Sequence, residues 1–186
     1  MLREEDHKQF FEAIEVKLAD HEQHNHRILM ERKDLPIGMK TIMAIWSFKQ
    51  KWFPDGTLNN HKAQLCAYVG QQTWGQEYWE TYATIVTWVS VCLLLIVAKI
   101  YGLQSKSINF VLFFPQADLD VPVYMELPAG VDPIDVLDQN SCCYVLKLNK
   151  SLYGLKQAGY NWFEKLQEGL IVWDFIQSQV AKCIFF

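Results

Sequence analysis

Residues 41–69 read TIMAIWSFKQKWFPDGTLNNHKAQLCAYV, and this stretch decides the fold. Every second position from Ile42 to Phe48 is apolar, which is the period of a strand with one buried face. Pro54-Asp55-Gly56 supplies turn residues before a second strand-like run, His61 to Val69. The stretch therefore predicts a β-hairpin.

Residues 81–98, which follow the hairpin, contain no charged side chain. We predict a buried core helix here. The alternative is a membrane span, because about 18 apolar residues are enough to propose one. The Thr and Ser residues in the first half of the segment favour the core helix, as does a strongly apolar part limited to Val91–Ala98.

The other segments divide into helix-like and strand-like patterns. Residues 2–20 mix apolar and charged positions in the way of an amphipathic helix, and Tyr153–Leu170 predicts a second long helix. Short apolar runs predict strands at Ser107–Phe114, Val121–Glu126 and Cys142–Leu148, with a Pro- and Asp-rich loop before the third and a further strand beginning over Val180–Phe186. Together these elements predict an α+β fold.

The composition is that of one globular domain: 186 residues, 51% hydrophobic and 20% charged. The net charge of −4 has the wrong sign for a protein whose whole surface binds a phosphate backbone. Basic residues concentrate from Arg32 to Lys62, whereas Asp118 to Asp138 carries only acidic charges. Contact with nucleic acid is therefore expected to be local, although solvated loops would give the same pattern.

Five cysteines form no CxxC pair, and the N-terminus MLREEDHKQF does not read as a secretory signal. This cysteine usage predicts a reduced, intracellular setting, either cytoplasmic or nuclear.

Two motifs resemble ligand sites but lack part of the pattern. His21 and His24 are three residues apart, whereas a zincin helix needs a spacing of four so that both histidines face one metal. We interpret residues 21–26 as a solvated loop. Gly154 to Gly159 has the outline of a phosphate-binding loop, but Tyr160 and Asn161 replace the Lys and the Ser or Thr that should follow.

A set of further motifs follows in a fixed order over residues 8–186. They are Leu35-Pro36-Ile37-Gly38, Trp46-Ser47-Phe48-Lys49, Pro54-Asp55-Gly56, Lys62-Ala63-Gln64-Leu65-Cys66, Trp79-Glu80-Thr81-Tyr82-Ala83, Ser107-Ile108-Asn109-Phe110, Gln116-Ala117-Asp118-Leu119-Asp120, Val123-Tyr124-Met125-Glu126-Leu127-Pro128 and Leu152-Tyr153-Gly154-Leu155-Lys156-Gln157-Ala158. Each motif is weak alone, and Leu152–Ala158 is the most specific. The ordered set resembles the reverse transcriptase of copia-type retrotransposons.

The resemblance implies a right-hand polymerase of which this chain holds the fingers and a partial palm, with an antiparallel sheet packed on helices. Residues 41–69 would form the fingers hairpin and residues 107–114 the centre of the palm. The N-terminal helix and polar loop would occupy residues 1–30, and the reverse transcriptase part residues 31–186. Such enzymes extend a primer on an RNA or DNA template, using dNTP and two Mg²⁺ ions held by Asp carboxylates. No membrane contact is expected.

The resemblance also assigns roles to single residues. The residues assigned to the incoming nucleotide are Lys62, Gln64, Phe110, Phe113 and Phe114. Those assigned to the template and primer side are Gly154, Lys156 and Gln157. Three of them have a plainer alternative: Phe114 as a core residue, Lys62 as a solvated strand lysine, and Gly154 as a turn before a helix.

Several departures from the family pattern predict that this copy is degenerate and inactive. Asn109 stands where the first metal-binding Asp is expected, and its neutral amide is a poor substitute for a bridging carboxylate. Gln64 replaces an Arg that would match phosphate, and Phe113 replaces a small Ala. The later Tyr-x-Asp-Asp hairpin is not reached before Phe186, so the chain is expected to be truncated.

Two other functions remain open. The basic stretch Arg32–Lys62 is compatible with a non-catalytic remnant that binds nucleic acid. The uncharged segment 81–98 is compatible with a single-span membrane protein, which we consider the weaker alternative.

Overall fold

The computed structural model describes residues 4–129 and 143–186. Its helices are α1 (Glu4–Gln23), α2 (Trp88–Ile100), α3 (Phe113–Gln116) and α4 (Ala158–Val172). Its strands are β1 (Arg27–Glu31), β2 (Thr41–Ile42), β3 (Ala44–Trp52), β4 (Leu58–Ala67), β5 (Asp118–Glu126) and β6 (Tyr144–Lys150). The predicted α+β class is confirmed.

The predicted hairpin is formed by β3 and β4, which pair antiparallel from Ala44 opposite Ala67 onward. Its turn is held by Asp55, whose Oδ1 accepts hydrogen bonds from the Thr57 backbone N at 2.9 Å and from Thr57 Oγ1 at 2.6 Å. Gly56 has a φ of 84°, a left-handed conformation that a residue with a Cβ rarely adopts. The turn chemistry that the sequence predicted therefore closes the hairpin.

A second sheet has four strands in the order β1-β6-β5-β2. The β1–β6 and β5–β6 pairs are antiparallel, whereas β2 runs parallel to β5. The strands predicted at Val121–Glu126 and Cys142–Leu148 correspond to β5 and β6, with Cys142 outside the described residues. Most of the predicted Pro- and Asp-rich loop also lies outside them.

One hydrophobic core joins the hairpin to the four-stranded sheet. Leu65 from β4 is buried together with Met125 from β5 and Leu148 from β6. Leu152 and Leu155, which follow β6, close the same cluster. Full burial of one such side chain contributes about 1.5–3 kcal/mol, so this cluster fixes the hairpin on the sheet.

Helix α1 confirms the predicted N-terminal helix and packs along β4. Phe10 is buried, with its ring centroid 5.0 Å from that of Phe48 and 4.6 Å from that of His61. Among the described strands β4 pairs only with β3, with one further bridge from Cys66 to Tyr153, and α1 packs against β4. The solvated loop predicted at residues 21–26 is wrong in part: α1 continues to Gln23 and both His21 and His26 are buried, whereas residues 22–25 are exposed.

The strand predicted at Ser107–Phe114 is wrong. These residues are irregular up to Phe110, and Leu112, with a left-handed φ of 52°, then leads into the short helix α3. A strand needs a neighbour for its backbone hydrogen bonds, and none of the described strands pairs with this segment. An apolar run alone does not supply that partner.

The helix predicted over residues 81–98 forms only from Trp88, as α2. Thr87 caps it, with its Oγ1 accepting a hydrogen bond from the Ser90 backbone N at 3.2 Å. The predicted burial is wrong, since no residue of α2 is fully buried. Among residues 4–129 and 143–186, no helix is both long enough and apolar enough to cross a membrane.

The C-terminal segments differ from prediction at their ends. The helix predicted from Tyr153 begins only at Ala158, because Leu152–Gln157 is taken up by turns around Gly154. The strand predicted over Val180–Phe186 does not form: residues 184–186 make backbone hydrogen bonds with residues 176–178 around one isolated bridge between Gln177 and Phe185, and residues 180–183 are irregular.

Candidate functional site

An aromatic cluster contains the three phenylalanines that the sequence assigned to the nucleotide. Phe114 lies 5.0 Å from Tyr153 between ring centroids, Phe113 lies 5.6 Å from Trp162, and Phe110 lies 5.1 Å from Trp162. Helices α3 and α4 thus bring these side chains together. Phe114 is half-buried and also packs against the hydrophobic core, which agrees with its plainer reading as a core residue.

Sequence reasoning missed Tyr153 and Trp162 as members of this cluster. Trp162 lies within the helix predicted over Tyr153–Leu170 and Tyr153 within the Leu152–Ala158 motif, and neither pattern indicated a contact between them and the phenylalanines. Their proximity to α3 depends on how the segment after β6 turns, which local periodicity does not encode.

Lys62 and Gln64 lie on the face of β4 that points away from the core. Register places Lys62 opposite Lys49 and Gln64 opposite Ser47, whereas their neighbours Ala63 and Leu65 are buried on the other face. The hairpin reaches the aromatic cluster at its base, where the Ala67 backbone N donates to the Tyr153 carbonyl at 2.8 Å.

Two titratable side chains meet at this base. Burial raises the pKa of the Cys66 thiol, and burial followed by the nearby thiol raises the pKa of the Tyr153 phenol. Cys66 and Tyr153 are paired as bridge partners between β4 and the segment after β6. Both groups therefore stay protonated at neutral pH, and they join the hairpin to the cluster without adding charge.

Gly154 sits where the chain passes closest to the end of β4. Its φ is 88°, and a Cβ added to it would lie 2.2 Å from the Ala67 carbonyl oxygen. No side chain fits there, so glycine is required by both conformation and space.

Gln157 is fully buried in a polar network with the loop that follows β4. Its Nε2 donates to the Glu77 carbonyl at 2.7 Å, and its Oε1 accepts from Gln72 Nε2 at 3.0 Å. The Oε1 of Gln72 accepts in turn from the Lys156 backbone N at 2.8 Å. The sequence patterns did not indicate these partners of Gln157.

Lys156 is held by Tyr78 of the same loop. Its Nζ donates to the phenol oxygen at 3.0 Å and lies 4.6 Å from the ring centroid. The side chains of Lys156 and Gln157 are therefore engaged inside the protein, and their role toward a template stays a prediction.

Asn109 lies in exposed, irregular chain rather than on a strand. Its amide is neutral, and hard Mg²⁺ ions prefer anionic oxygen ligands. Within residues 4–129 and 143–186, no group of three or more His, Cys, Asp or Glu side chains could hold a metal ion. The described residues therefore do not fit a pair of catalytic Mg²⁺ ions.

The β3–β4 hairpin, the four-stranded sheet and the helices together form a mixed α+β fold. Residues 29–186 match the family described as reverse transcriptase (RNA-dependent DNA polymerase). The chain belongs to this family, as the ordered motifs had predicted.

The curated relatives that this chain matches are Pol polyproteins of retrotransposons. The chain is 35% identical over 150 residues to the retrovirus-related Pol polyprotein from transposon RE1 of Arabidopsis thaliana, a match that covers 81% of this chain and 10% of that protein. The corresponding protein from transposon TNT 1-94 of Nicotiana tabacum is 30% identical over 153 residues, covering 82% of this chain and 11% of that protein. The protein from transposon RE2 of Arabidopsis thaliana is 33% identical over 150 residues, with coverage of 81% and 10%.

The chain thus spans about a tenth of the length of these relatives and corresponds to a reverse transcriptase part of a retrotransposon Pol polyprotein. No solved structure matches it significantly.

Proposed function

We propose that residues 31–186 form the fingers and the first part of the palm of a copia-type reverse transcriptase, preceded by a separate N-terminal segment at residues 1–30. In this proposal the β3–β4 hairpin is the fingers element, and β5, β6 and α4 belong to the palm. Its partners are dNTP and an RNA or DNA primer–template. The family match over residues 29–186 supports the assignment.

The observation that carries the proposal is the junction between the hairpin and the aromatic cluster. The hydrogen bond from Ala67 to Tyr153 and the tight passage at Gly154 bind the base of β4 to the segment beside Phe113 and Phe114. The strand that carries Lys62 and Gln64 is thereby joined at its end to the segment that packs against Phe113 and Phe114. Nucleotide binding needs such a fixed distance between groups on different elements.

In this proposal Phe114 screens the ribose of the nucleotide. An aromatic ring beside the sugar would exclude a 2′-hydroxyl by contact, and Phe114 is only half-buried, so part of its ring stays accessible. Equilibrium binding of dNTP and of the matching rNTP tests this role. We expect Phe114→Ala to remove most of any preference for dNTP, whereas an unchanged preference would contradict the role.

We further propose that this copy does not catalyse polymerisation. Asn109 supplies no charge at the position where the resemblance places a metal-binding Asp, and among the described residues no group of three or more His, Cys, Asp or Glu could hold a metal ion. We derive no chemical step through Mg²⁺ for this chain. The residues that remain would bind a nucleotide and a nucleic acid without joining them.

Primer extension tests this conclusion. The purified 186-residue chain is incubated with a labelled primer annealed to an RNA template, all four dNTPs and Mg²⁺, beside a heat-inactivated sample. We expect no template-directed product, and we expect Asn109→Asp to leave this result unchanged, because one carboxylate does not make a two-metal site. Product from the unmodified chain above the heated control would overturn the proposal.

A further inference from the structure

Strand β1 (Arg27–Glu31) forms one edge of the four-stranded sheet. It pairs with β6 on one side, and on its other side none of the described strands pairs with it. The middle of the strand is apolar and open to solvent, since Ile28 is 52% exposed and Leu29 is 42% exposed. An open edge of this kind is a template for a further strand.

The hydrogen bonds of β1 show which of its backbone groups remain for such a strand. The His26 carbonyl accepts from the Asn149 backbone N at 2.9 Å, so its oxygen points toward β6. In an antiparallel pair, successive residues turn their N–H and C=O groups alternately toward the partner strand and away from it. The backbone groups of Arg27, Leu29 and Glu31 therefore point to the open edge.

The charges of β1 make this edge complementary to itself. When two copies of the strand run antiparallel with Leu29 opposite Leu29, Arg27 of each copy lies opposite Glu31 of the other. In the same alignment, the outward backbone groups of the three odd-numbered residues of one copy meet those of the other copy. Charged residues at a sheet edge often prevent pairing with other chains, but here the opposite charges attract.

The Arg27 guanidinium lacks a close partner within one chain. Its Nη2 lies 3.7 Å from Glu22 Oε1, and its Nη1 is buried with no hydrogen-bond partner among the residues that the structure describes. Since a buried, unpaired charged donor costs free energy, a carboxylate brought to it stabilises the paired state. Cross-strand neighbours have Cβ atoms about 5 Å apart, so Glu31 of a second copy is within reach of this long side chain.

Glu31 is free to change its partner. Its carboxylate lies 2.6 Å from Lys33 Nζ, and both side chains are exposed to solvent. An exposed ion pair of this kind contributes little to stability, so exchanging it for Arg27 of a second copy costs little.

We propose that β1 is a dimerisation edge, at which two copies of this chain pair β1 with β1 antiparallel about a two-fold axis at Leu29. The dimer would join two four-stranded sheets into one continuous sheet, in the manner of strand addition at a sheet edge. Because the strand has only five residues, its contact is smaller than a standard interface, and the dimer is weak. The proposal does not depend on nucleotide binding.

Sedimentation velocity of the full 186-residue chain tests the proposal. We expect dimers at about 100 µM and monomers at about 1 µM, as a small interface implies. Glu31→Arg places two arginines opposite each other at both ends of the strand and should weaken dimerisation at least about tenfold. Glu15→Arg makes the same charge change at an exposed position of α1 and should have no effect.

A charge exchange gives the sharpest form of this test. Arg27→Glu places two carboxylates opposite each other and should also be monomeric. Mixed in equal amounts with Glu31→Arg, it should form a heterodimer, because a carboxylate then faces an arginine at both ends. Only an antiparallel pairing of Arg27 with Glu31 predicts that two monomeric variants restore each other.

Disulfide cross-linking tests the register with substitutions that disturb the charges of neither end. Leu29→Cys places two thiols on the axis with Cα atoms about 5.5 Å apart, within the range of a disulfide. Ile28→Cys is the matched control, since its two copies are diagonal neighbours about 7–8 Å apart. With oxidised glutathione, Leu29→Cys should give more cross-linked dimer on non-reducing electrophoresis than Ile28→Cys, which also corrects for the native cysteines.

Four results would overturn the proposal: a monomer at about 100 µM, equal effects of Glu31→Arg and Glu15→Arg, equal cross-linking at positions 28 and 29, or a dimer lost only in Leu94→Glu. The last result would assign the contact to the exposed apolar side chains of α2. Circular dichroism checks the fold of every variant. If Arg27→Glu does not fold, Glu31→Arg and the cross-linking pair decide the proposal.

Discussion

The β3–β4 hairpin and helix α2 are both rich in apolar residues, yet they bury them very differently. In the hairpin most of the apolar side chains occupy one face, where Leu65 is 1% exposed, and Ile45 on the other face is 41% exposed. In α2 they surround the helix, and Leu94 remains 48% exposed. Apolar residues on one face of a strand show which face has to be buried. A helix that is apolar on all sides does not show which side packs against the rest of the protein.

The largest expected effect comes from truncating one leucine in each region. Leu65→Ala should lower the free energy of unfolding by about 2–5 kcal/mol, because it leaves a cavity in the core. Leu94→Ala should change it by no more than about 0.5 kcal/mol. Urea denaturation followed by circular dichroism measures both, and equal losses would mean that α2 is as well packed as the hairpin.

Acid should weaken the end of α1, the helix that shields the hairpin. His21 and His26 are buried with their Nδ1 atoms 3.0 Å apart. Burial and then the neighbouring His26 lower the pKa of His21 to about 3, and burial and then His24 lower that of His26 to about 4. Lys17, Arg27 and Lys150 oppose protonation further, and Asp20 favours it at His26.

Both folded-state pKa values lie below the unfolded value of 6.5, so the neutral imidazoles stabilise the fold fully above pH 6.5. As the pH falls from 6.5 toward 4, stability should drop by up to about 1.4 kcal/mol per pH unit for each histidine. Urea denaturation at several pH values measures this slope. His26→Gln should flatten it and the exposed His7→Gln should not, whereas a steep slope in His26→Gln would assign the effect to other groups.

The base of the hairpin can be tested at Gly154. Gly154→Ala should cost about 1–3 kcal/mol for the left-handed backbone, plus the cost of moving the Ala67 carbonyl, which a new Cβ would approach to 2.2 Å. Gly38→Ala is the matched control, since Gly38 has a φ of 86° with open space around it. Thermal denaturation should show a larger loss of stability for Gly154→Ala than for Gly38→Ala. Equal losses would show that the close approach to the Ala67 carbonyl does not add to the cost.

The smallest expected effect concerns the start of α2. Thr87→Ala removes the capping oxygen that accepts from Ser90 and should cost about 1 kcal/mol of helix stability. Because few contacts hold α2, the loss should appear as fraying of this helix rather than global unfolding. Hydrogen exchange of the amides from Trp88 to Val91 would detect it, and unchanged exchange would show that tertiary contacts hold the helix end.

The site was predictable where a residue's role depends on strand position. Lys62 and Gln64 lie on the outward face of a strand, as alternation along β4 requires. Gln157 was expected at a template, and its burial against Gln72 could not be foreseen, because 85 residues of sequence separate the two side chains. Asn109 was expected on a palm strand and lies in exposed chain, since an apolar run does not reveal whether a partner strand is present.

The sequence by itself determined the hairpin, α1, β5, β6 and membership of the family. These depend on alternation, turn residues and ordered motifs, which act over a few residues at a time. Only the tertiary structure decided the aromatic cluster with Tyr153 and Trp162, the buried network of Gln157 and the exposure of α2. Those features depend on contacts between segments far apart in the chain, and such contacts form only when the whole core closes.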